Sequence, residues 1–322
     1  MATEFLTLDG VCARILAAER PIILSHTRPD GDTVGAAAAL FHLFAALGKR
    51  AAWDCADPCP RRLSFLFDGC ALASREENEG GTVISVDVAS PAQLGALAAR
   101  YEGRVAFSID HHKSCTPFAP TYLSDSAAAA GEILYEIGAH LVEMGALPSL
   151  PRPFAAAAYA ALSSDTGCFR YANVTPRTHE VAAALLCAGA DADRINHLLF
   201  ECRTEGELRA NAIAAANLSL HTGGRIGIVS LSLAARAGLS DEDFETAIDV
   251  PRSVAGVEIA AAIREMRGGV CRVSLRSTGA DVAAVAASFD GGGHIRAAGC
   301  TIEGAPSEVL AKLLPRLDGA LK

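Results

Sequence analysis

The stretch PIILSHTRPDGD, Pro21 to Asp32, sets the reading of the whole chain. An apolar strand-like run, PIIL, delivers His26, Asp30 and Asp32 into a single polar turn, and an alanine-rich apolar segment from Val34 to Leu47 follows with helical character. The pattern recurs. RAAWDC (50–55) reads as a second strand. TVISVDVAS (82–90) reads as a third, ending on Asp87 and leading into the helix-like PAQLGALAARY (91–101). RVAFSIDHH (104–112) is a fourth, ending on Asp110, His111 and His112, with a helix expected from about Ala127 to Met144. FAAAAYAALSSDTG (154–167) is a helix closing on a polar turn that holds Asp165. Strand–helix alternation of this kind predicts an α/β fold with a parallel sheet flanked by helices.

In parallel sheets, ligand sites form beyond the carboxyl ends of the strands. Three expected strands therefore bring Asp and His side chains to one edge. Each residue has a plainer reading. Pro-Asp-Gly-Asp has turn chemistry, Asp87 and Asp165 could serve helix ends, and the DHH triplet could be a hydrogen-bonded core pair. As a set they pose a harder problem, because carboxylates gathered on an apolar rim repel one another and resist desolvation. About four negative charges are what two divalent cations would cancel. Mixed carboxylate and imidazole donors suit Mn²⁺, with Fe²⁺ or Co²⁺ as substitutes, whereas an all-oxygen set would favour Mg²⁺.

The second half reads differently. Residues 181–220 are expected to be mostly helix, and strand character restarts at GGRIGIVSLS (223–232) and continues through VEIAAAIREM and VCRVSLRS. ADVAAVAASF is a helix leading into DGGGHIRAAGC (290–300). Two domains are expected: a catalytic domain over 1–195, a helical connection over 196–225, and a smaller α/β domain over 226–322, with the active site in the cleft between them. Glycines 291–293 would let backbone N–H groups approach an anion. Arg276 and Arg296 offer the bidentate fork suited to phosphate, and His294 and Arg170 are further candidate contacts.

Composition narrows the class. The 322 residues are 51% hydrophobic with a formal net charge of −9. That argues against coating a long nucleic acid, which takes many phosphate contacts. The ten cysteines include no Cys-x-x-Cys pair, Cys55 and Cys59 coming closest, and read as reduced thiols of a cytoplasmic protein. No apolar run is long enough for a membrane span.

SHTRPDGD, VISVD, SIDHH, SSDTG and GGGHIRAAG, in that order, resemble the motifs of the DHH phosphoesterase superfamily with its DHHA1 C-terminal domain. SSDTGCFRYANVTPRTHEVAAALLCAGAD is most similar to the NrnA-type group, bifunctional oligoribonucleases and pAp (3'-phosphoadenosine 5'-phosphate) phosphatases. The resemblance implies one Mn²⁺ on His26, Asp30 and Asp87, and a second on Asp32, Asp87, His111 and Asp165, with Asp87 shared. It implies that Asp110 fixes a neighbouring imidazole and that His112 faces the substrate phosphate. The implied reaction is in-line attack of a metal-bridging hydroxide on very short single-stranded RNA, on linear dinucleotides such as pApA, or on the 3'-phosphate of pAp. Long duplexes and membranes are not expected partners; a homodimer is a family-level expectation. Two alternatives stay open: a manganese inorganic pyrophosphatase, and a non-catalytic nucleotide-binding module. The sequence departs from the family pattern at Asp290, where a fourth glycine is common. It also departs at AAAAGEIL, which lacks the Ser or Thr often found before that helix.

Overall fold

A computed structural model describes residues 4–68 and 72–321; the side chain of His294 lies outside that description. The chain divides into two compact units, residues 1–202 and 203–322.

The first unit runs α1 (Leu8–Ala17), β1 (Ile22–Leu24), α2 (Gly31–Ala46), β2 (Ala52–Asp54), β3 (Val83–Val86), α3 (Ala98–Tyr101), β4 (Val105–Asp110), β5 (Thr121–Leu123), α4 (Ala130–Glu143), α5 (Arg152–Asp165), α6 (Pro176–Cys187) and α7 (Ala192–Asn196). Its strands form one sheet in the order β2-β1-β3-β4-β5, and every pairing is parallel. β1 and β3 are buried throughout, as continuous apolar runs covered on both faces should be.

The alanine bias has a packing purpose. α2 is buried almost all round and packs most extensively on α5. Gly35 marks their crossing, where a Cβ would sit 2.8 Å from the Ala161 amide nitrogen and 2.9 Å from the Ala157 carbonyl. Only hydrogen allows the backbones that close. Gly31 does the same at the polar end, where a Cβ would lie 2.6 Å from Ser164 Cβ. The first turn of α2 and the last turn of α5 are thereby brought together, which is what joins the SHTRPDGD and SSDTG motifs.

The second unit contains α8 (Glu205–Ala216), β6 (Leu218–His221), β7 (Ile226–Leu231), α9 (Asp249–Arg252), β8 (Ile259–Met266), β9 (Val270–Ser277), α10 (Val282–Ala287), β10 (Gly292–His294), β11 (Ala297–Glu303) and α11 (Pro306–Ala320). Its sheet has the order β10-β11-β9-β8-β7-β6 and is antiparallel except for β7–β8.

Two local expectations are corrected, and the glycine triplet is located. The stretch 91–101 is a 3₁₀ turn, Pro91–Leu97, broken by Gly95 at φ +55°, with only one helical turn after it. A left-handed residue in mid-segment cannot continue a right-handed helix. Residues 218–220 are strand, not helix, because β6 pairs along β7 from Leu218↔Val229 to His221↔Ile226. The glycine triplet is not a free loop: Gly292 and Gly293 form β10, opposite Gly299 and Ala298.

Candidate metal centre

The carboxyl ends of β1, β3 and β4 carry the chemistry. His26 lies just beyond β1, Asp87 directly after β3, Asp110 on the last residue of β4, and His111 and His112 follow. Asp30 caps α2, Asp32 sits in its first turn, and Asp165 is the last residue of α5.

Asp87 is the hub. Its backbone adopts φ +58°, a left-handed conformation that aspartate tolerates better than most residues. Its carboxylate is 2% exposed at the residue level, and Oδ2 lies 3.6 Å from His26 Nε2. Oδ1 lies 3.4 Å from His111 Nε2 and 3.5 Å from His112 Nδ1. Among the described residues, that buried Oδ1 has no hydrogen-bond partner. Around this hub, His26 Nε2 is 3.7 Å from Asp30 Oδ1, and His111 Nε2 is 3.4 Å from Asp32 Oδ2 and 4.0 Å from Asp165 Oδ2. Three sets of converging donor atoms result: His26–Asp30–Asp87, Asp32–His111–Asp165 and Asp87–His111–His112.

The backbone orients each imidazole. His26 Nδ1 bonds the Thr27 carbonyl at 2.8 Å and His111 Nδ1 the Ala127 carbonyl at 3.3 Å, so both turn Nε2 toward the carboxylates. Asp30 Oδ1 accepts from the Asp32 and Thr33 amides at 3.0 and 3.1 Å; it caps α2 and joins the cluster at once. Asp32 Oδ2 accepts from the Ala130 amide at 2.8 Å and Oδ1 from the Gly131 amide at 3.2 Å. The departure at AAAAGEIL thus has a physical reading. α4 has no side-chain cap of its own at Ala129, and Asp32 supplies one from a distant part of the chain.

Asp110 is fully buried and does different work. Its Oδ1 accepts from His112 Nδ1 at 2.7 Å and from the His111 and His112 amides at 2.8 and 3.3 Å. This bond commits His112 Nδ1 and fixes the orientation of the ring.

The charges partly balance internally. Burial disfavours the His26 cation, but the nearby Asp30 and Asp87 carboxylates outweigh it and push its pKa up to about 11. His111 follows the same logic, against burial, to about 10, chiefly through Asp87 and Asp32. His112 is also raised, its burial offset by Asp110 and Asp87. Burial lifts Asp165 to about 6, with Asp30 and Asp87 adding to it, and lifts Asp32 strongly upward, with Asp87 adding. Asp87 goes the other way: despite burial, His111 and His26 hold it well below the carboxylate range. A cluster that draws protons onto imidazoles and carboxyls in this way is short of positive charge, and its buried, unpartnered Asp87 Oδ1 faces the deficit. Oxygen and imidazole donors around that atom fit a divalent cation.

The remaining candidates lie outside this cluster. Arg170 Nε donates to the Gly167 carbonyl at 2.6 Å, and its guanidinium lies over the Phe200 ring at 5.9 Å. Arg276 is on β9, paired with Ala297 of β11, and Arg296 is exposed in the turn between β10 and β11. Gly291 and Gly293 are explained in part by packing: a Cβ on Gly291 would fall 2.5 Å from Cys300 Cβ, and one on Gly293 2.6 Å from Ala298 Cα. The supporting groups that the motifs did not reveal are main-chain ones, the Thr27 and Ala127 carbonyls and the Ala130 and Gly131 amides. The missing cap before α4 was their one sequence signal.

Residues 20–162 match the DHH family N-terminal domain, and residues 223–322 match the DHHA1 domain. The chain is 32% identical to the bifunctional oligoribonuclease and PAP phosphatase NrnA of Thermus thermophilus, over 89% of this chain and 86% of that protein. It is 25% identical to the Bacillus subtilis protein of the same name, over 87% and 88% of the two chains. An exopolyphosphatase-related protein from Bacteroides fragilis shares the fold, with a TM-score of 0.87 at 21% identity over 97% of this chain and 95% of that one. The fold and site define a phosphoesterase-type α/β enzyme with an Asp/His cluster that could hold metal ions. The chain belongs to the DHH phosphoesterase family, in its form with a C-terminal DHHA1 domain. No helix among the described residues is long and apolar enough to cross a membrane.

Proposed function

We propose that this protein is a Mn²⁺-dependent phosphoesterase that hydrolyses very short oligoribonucleotides, including linear dinucleotides such as pApA, and removes the 3'-phosphate of pAp. One observation carries the reading: a buried Asp87 carboxylate shared by two of the three converging donor sets, with one oxygen that has no hydrogen-bond partner among the described residues. The names of the relatives point to the same substrates.

His26, Asp30 and Asp87 would hold one cation, and Asp32, Asp87, His111 and Asp165 the other. When bound, the pair would supply an acidified water as nucleophile and offset charge on the phosphoryl oxygens. The chain's own residues do the rest. Asp110 fixes the His112 ring through Nδ1, and its charge helps keep that imidazole protonated. The protonated His112 ring would donate to the phosphate and pass a proton to the leaving oxygen. Arg276, the Gly291–Gly293 segment, His294 and Arg296 are assigned to holding substrate, with Arg170 as a further phosphate contact.

The test presents metal-free protein with Mn²⁺ and, separately, pApA, pAp and pyrophosphate. Cleavage of pApA and pAp is expected. Turnover of pyrophosphate alone would make the protein a pyrophosphatase, and no turnover of any would make it a binding module.

A further inference from the structure

We infer that Asn173 is a positioning residue for the second cation, the one assigned above to Asp32, Asp87, His111 and Asp165; the inference rests on that metal reading. Two of these ligands, His111 and Asp32, depend on one short backbone segment, residues 127–131. The Ala127 carbonyl orients His111 through Nδ1, and the Ala130 and Gly131 amides hold both oxygens of Asp32. Asp165 arrives separately, at the end of α5.

Asn173 makes the connection. Its side-chain amide donates to the Ala128 carbonyl at 2.9 Å, in the middle of that segment, and to the Asp165 carbonyl at 3.2 Å. One planar NH₂ group thus bridges the segment entering α4 to the backbone of Asp165. Without the bridge, Asp165 can shift relative to Asp32 and His111 while each keeps its own bonds. Among the described residues, His26, Asp30 and Asp87 make no hydrogen bond to Asn173 or to residues 128–131; the Thr27 carbonyl holds His26, and the Asp32 and Thr33 amides hold Asp30. The expected consequence is selective: one site loosens and the other stays.

The surroundings favour a positioning role over a folding one. Asn173 is exposed, so its removal opens no core cavity, and its bond to the Asp165 carbonyl lies at the surface; Ala128 is buried, so the melting measurement below separates a lost carbonyl partner from a loosened ligand. Outer groups that orient metal ligands typically cost 10–100-fold in affinity when removed.

The experiment is calorimetric titration of Mn²⁺ into the metal-free full chain. It compares wild type with Asn173→Ala and with Asn173→Leu, which keeps the volume but removes both donors. Circular dichroism melting of the same samples runs alongside. Wild type should bind two ions. Each variant should bind the first with unchanged affinity and the second about 10–100-fold more weakly, with an unaltered metal-free melting temperature. Saturating Mn²⁺ should then restore kcat on pApA. Two wild-type-like sites in the variants would overturn the inference while leaving the metal reading intact. Equal weakening of both sites, or a lowered melting temperature, would make Asn173 structural. A wild type that binds no Mn²⁺ would remove the metal reading itself.

Discussion

Loading the centre with Mn²⁺ should expel about one proton per cation at neutral pH. In the metal-free chain the His26 pKa is pushed up to about 11 and that of His111 to about 10, because His26 faces the exposed Asp30 and the buried Asp87 and His111 the buried Asp32 and Asp87. Both rings are therefore cationic at neutral pH, and Nε2 must lose its proton before it can donate to a metal. One displaced proton makes each association constant rise about tenfold per pH unit through the neutral range. On the acid side the second site should steepen further, because Asp165, raised to about 6, must ionise as well, and Asp32 is shifted in the same direction. Stability of the metal-free protein follows with a defined sign. The folded pKa values of His26 and His111 exceed the ordinary value of about 6.5. The stability they contribute is therefore complete below that pH and is lost as pH climbs toward 10 and 11. Asp87 works oppositely: its contribution is present above the normal carboxylate range and is lost as acid protonates it. Calorimetric titration in buffers of contrasting ionisation enthalpy, at pH about 6.5, 7.5 and 8.5, counts the protons directly. A count near zero, with affinity flat across pH, would refute the claim that imidazolium charge balances the carboxylates before metal arrives.

Asp87→Asn removes the shared carboxylate; it should abolish binding of both ions, measured as metal content after dialysis, and cut pApA turnover by at least about 10³-fold. Asp110→Asn leaves the proposed ligands in place but weakens the hold on His112, so kcat should fall by about 10²–10⁴-fold while metal content stays at two. Gly31→Ala forces a methyl against Ser164, and overpacking of this kind should lower stability by about 1–3 kcal/mol in denaturant melts. His294→Ala should raise KM for pApA, or lower kcat/KM, without changing metal content; loss of metal would show that the residue had been assigned to the wrong task.

The parallel sheet was legible because PIIL, VISV and VAFSI are uninterrupted apolar runs, each ending on a charged or imidazole side chain, and period and composition agree there. The Asp/His convergence followed from the carboxyl-end rule for such sheets. What was not legible was main-chain work. Nothing in the side chains of Ala127, Ala130 or Gly131 announces a bond to His111 or Asp32. Backbone donors look alike in every sequence, and only the absent Ser or Thr before α4 hinted that a cap must come from elsewhere. The segment 91–101 misled through its helix-forming alanines and leucines, because a single left-handed Gly95 overrode them. β6 was hidden for a similar reason: it is short, sits directly after α8, and gains its partner β7 only through antiparallel pairing.

The crossing of α2 and α5 at Gly35 has a reach beyond stability. The two helices run antiparallel, and one begins with Asp32 while the other ends with Asp165. The gap between those carboxylates is therefore governed by how deeply two alanine surfaces interlock a few turns away. Trading hydrogens for methyls along that seam would change the spacing of the acidic cluster while leaving every one of its side chains in the sequence.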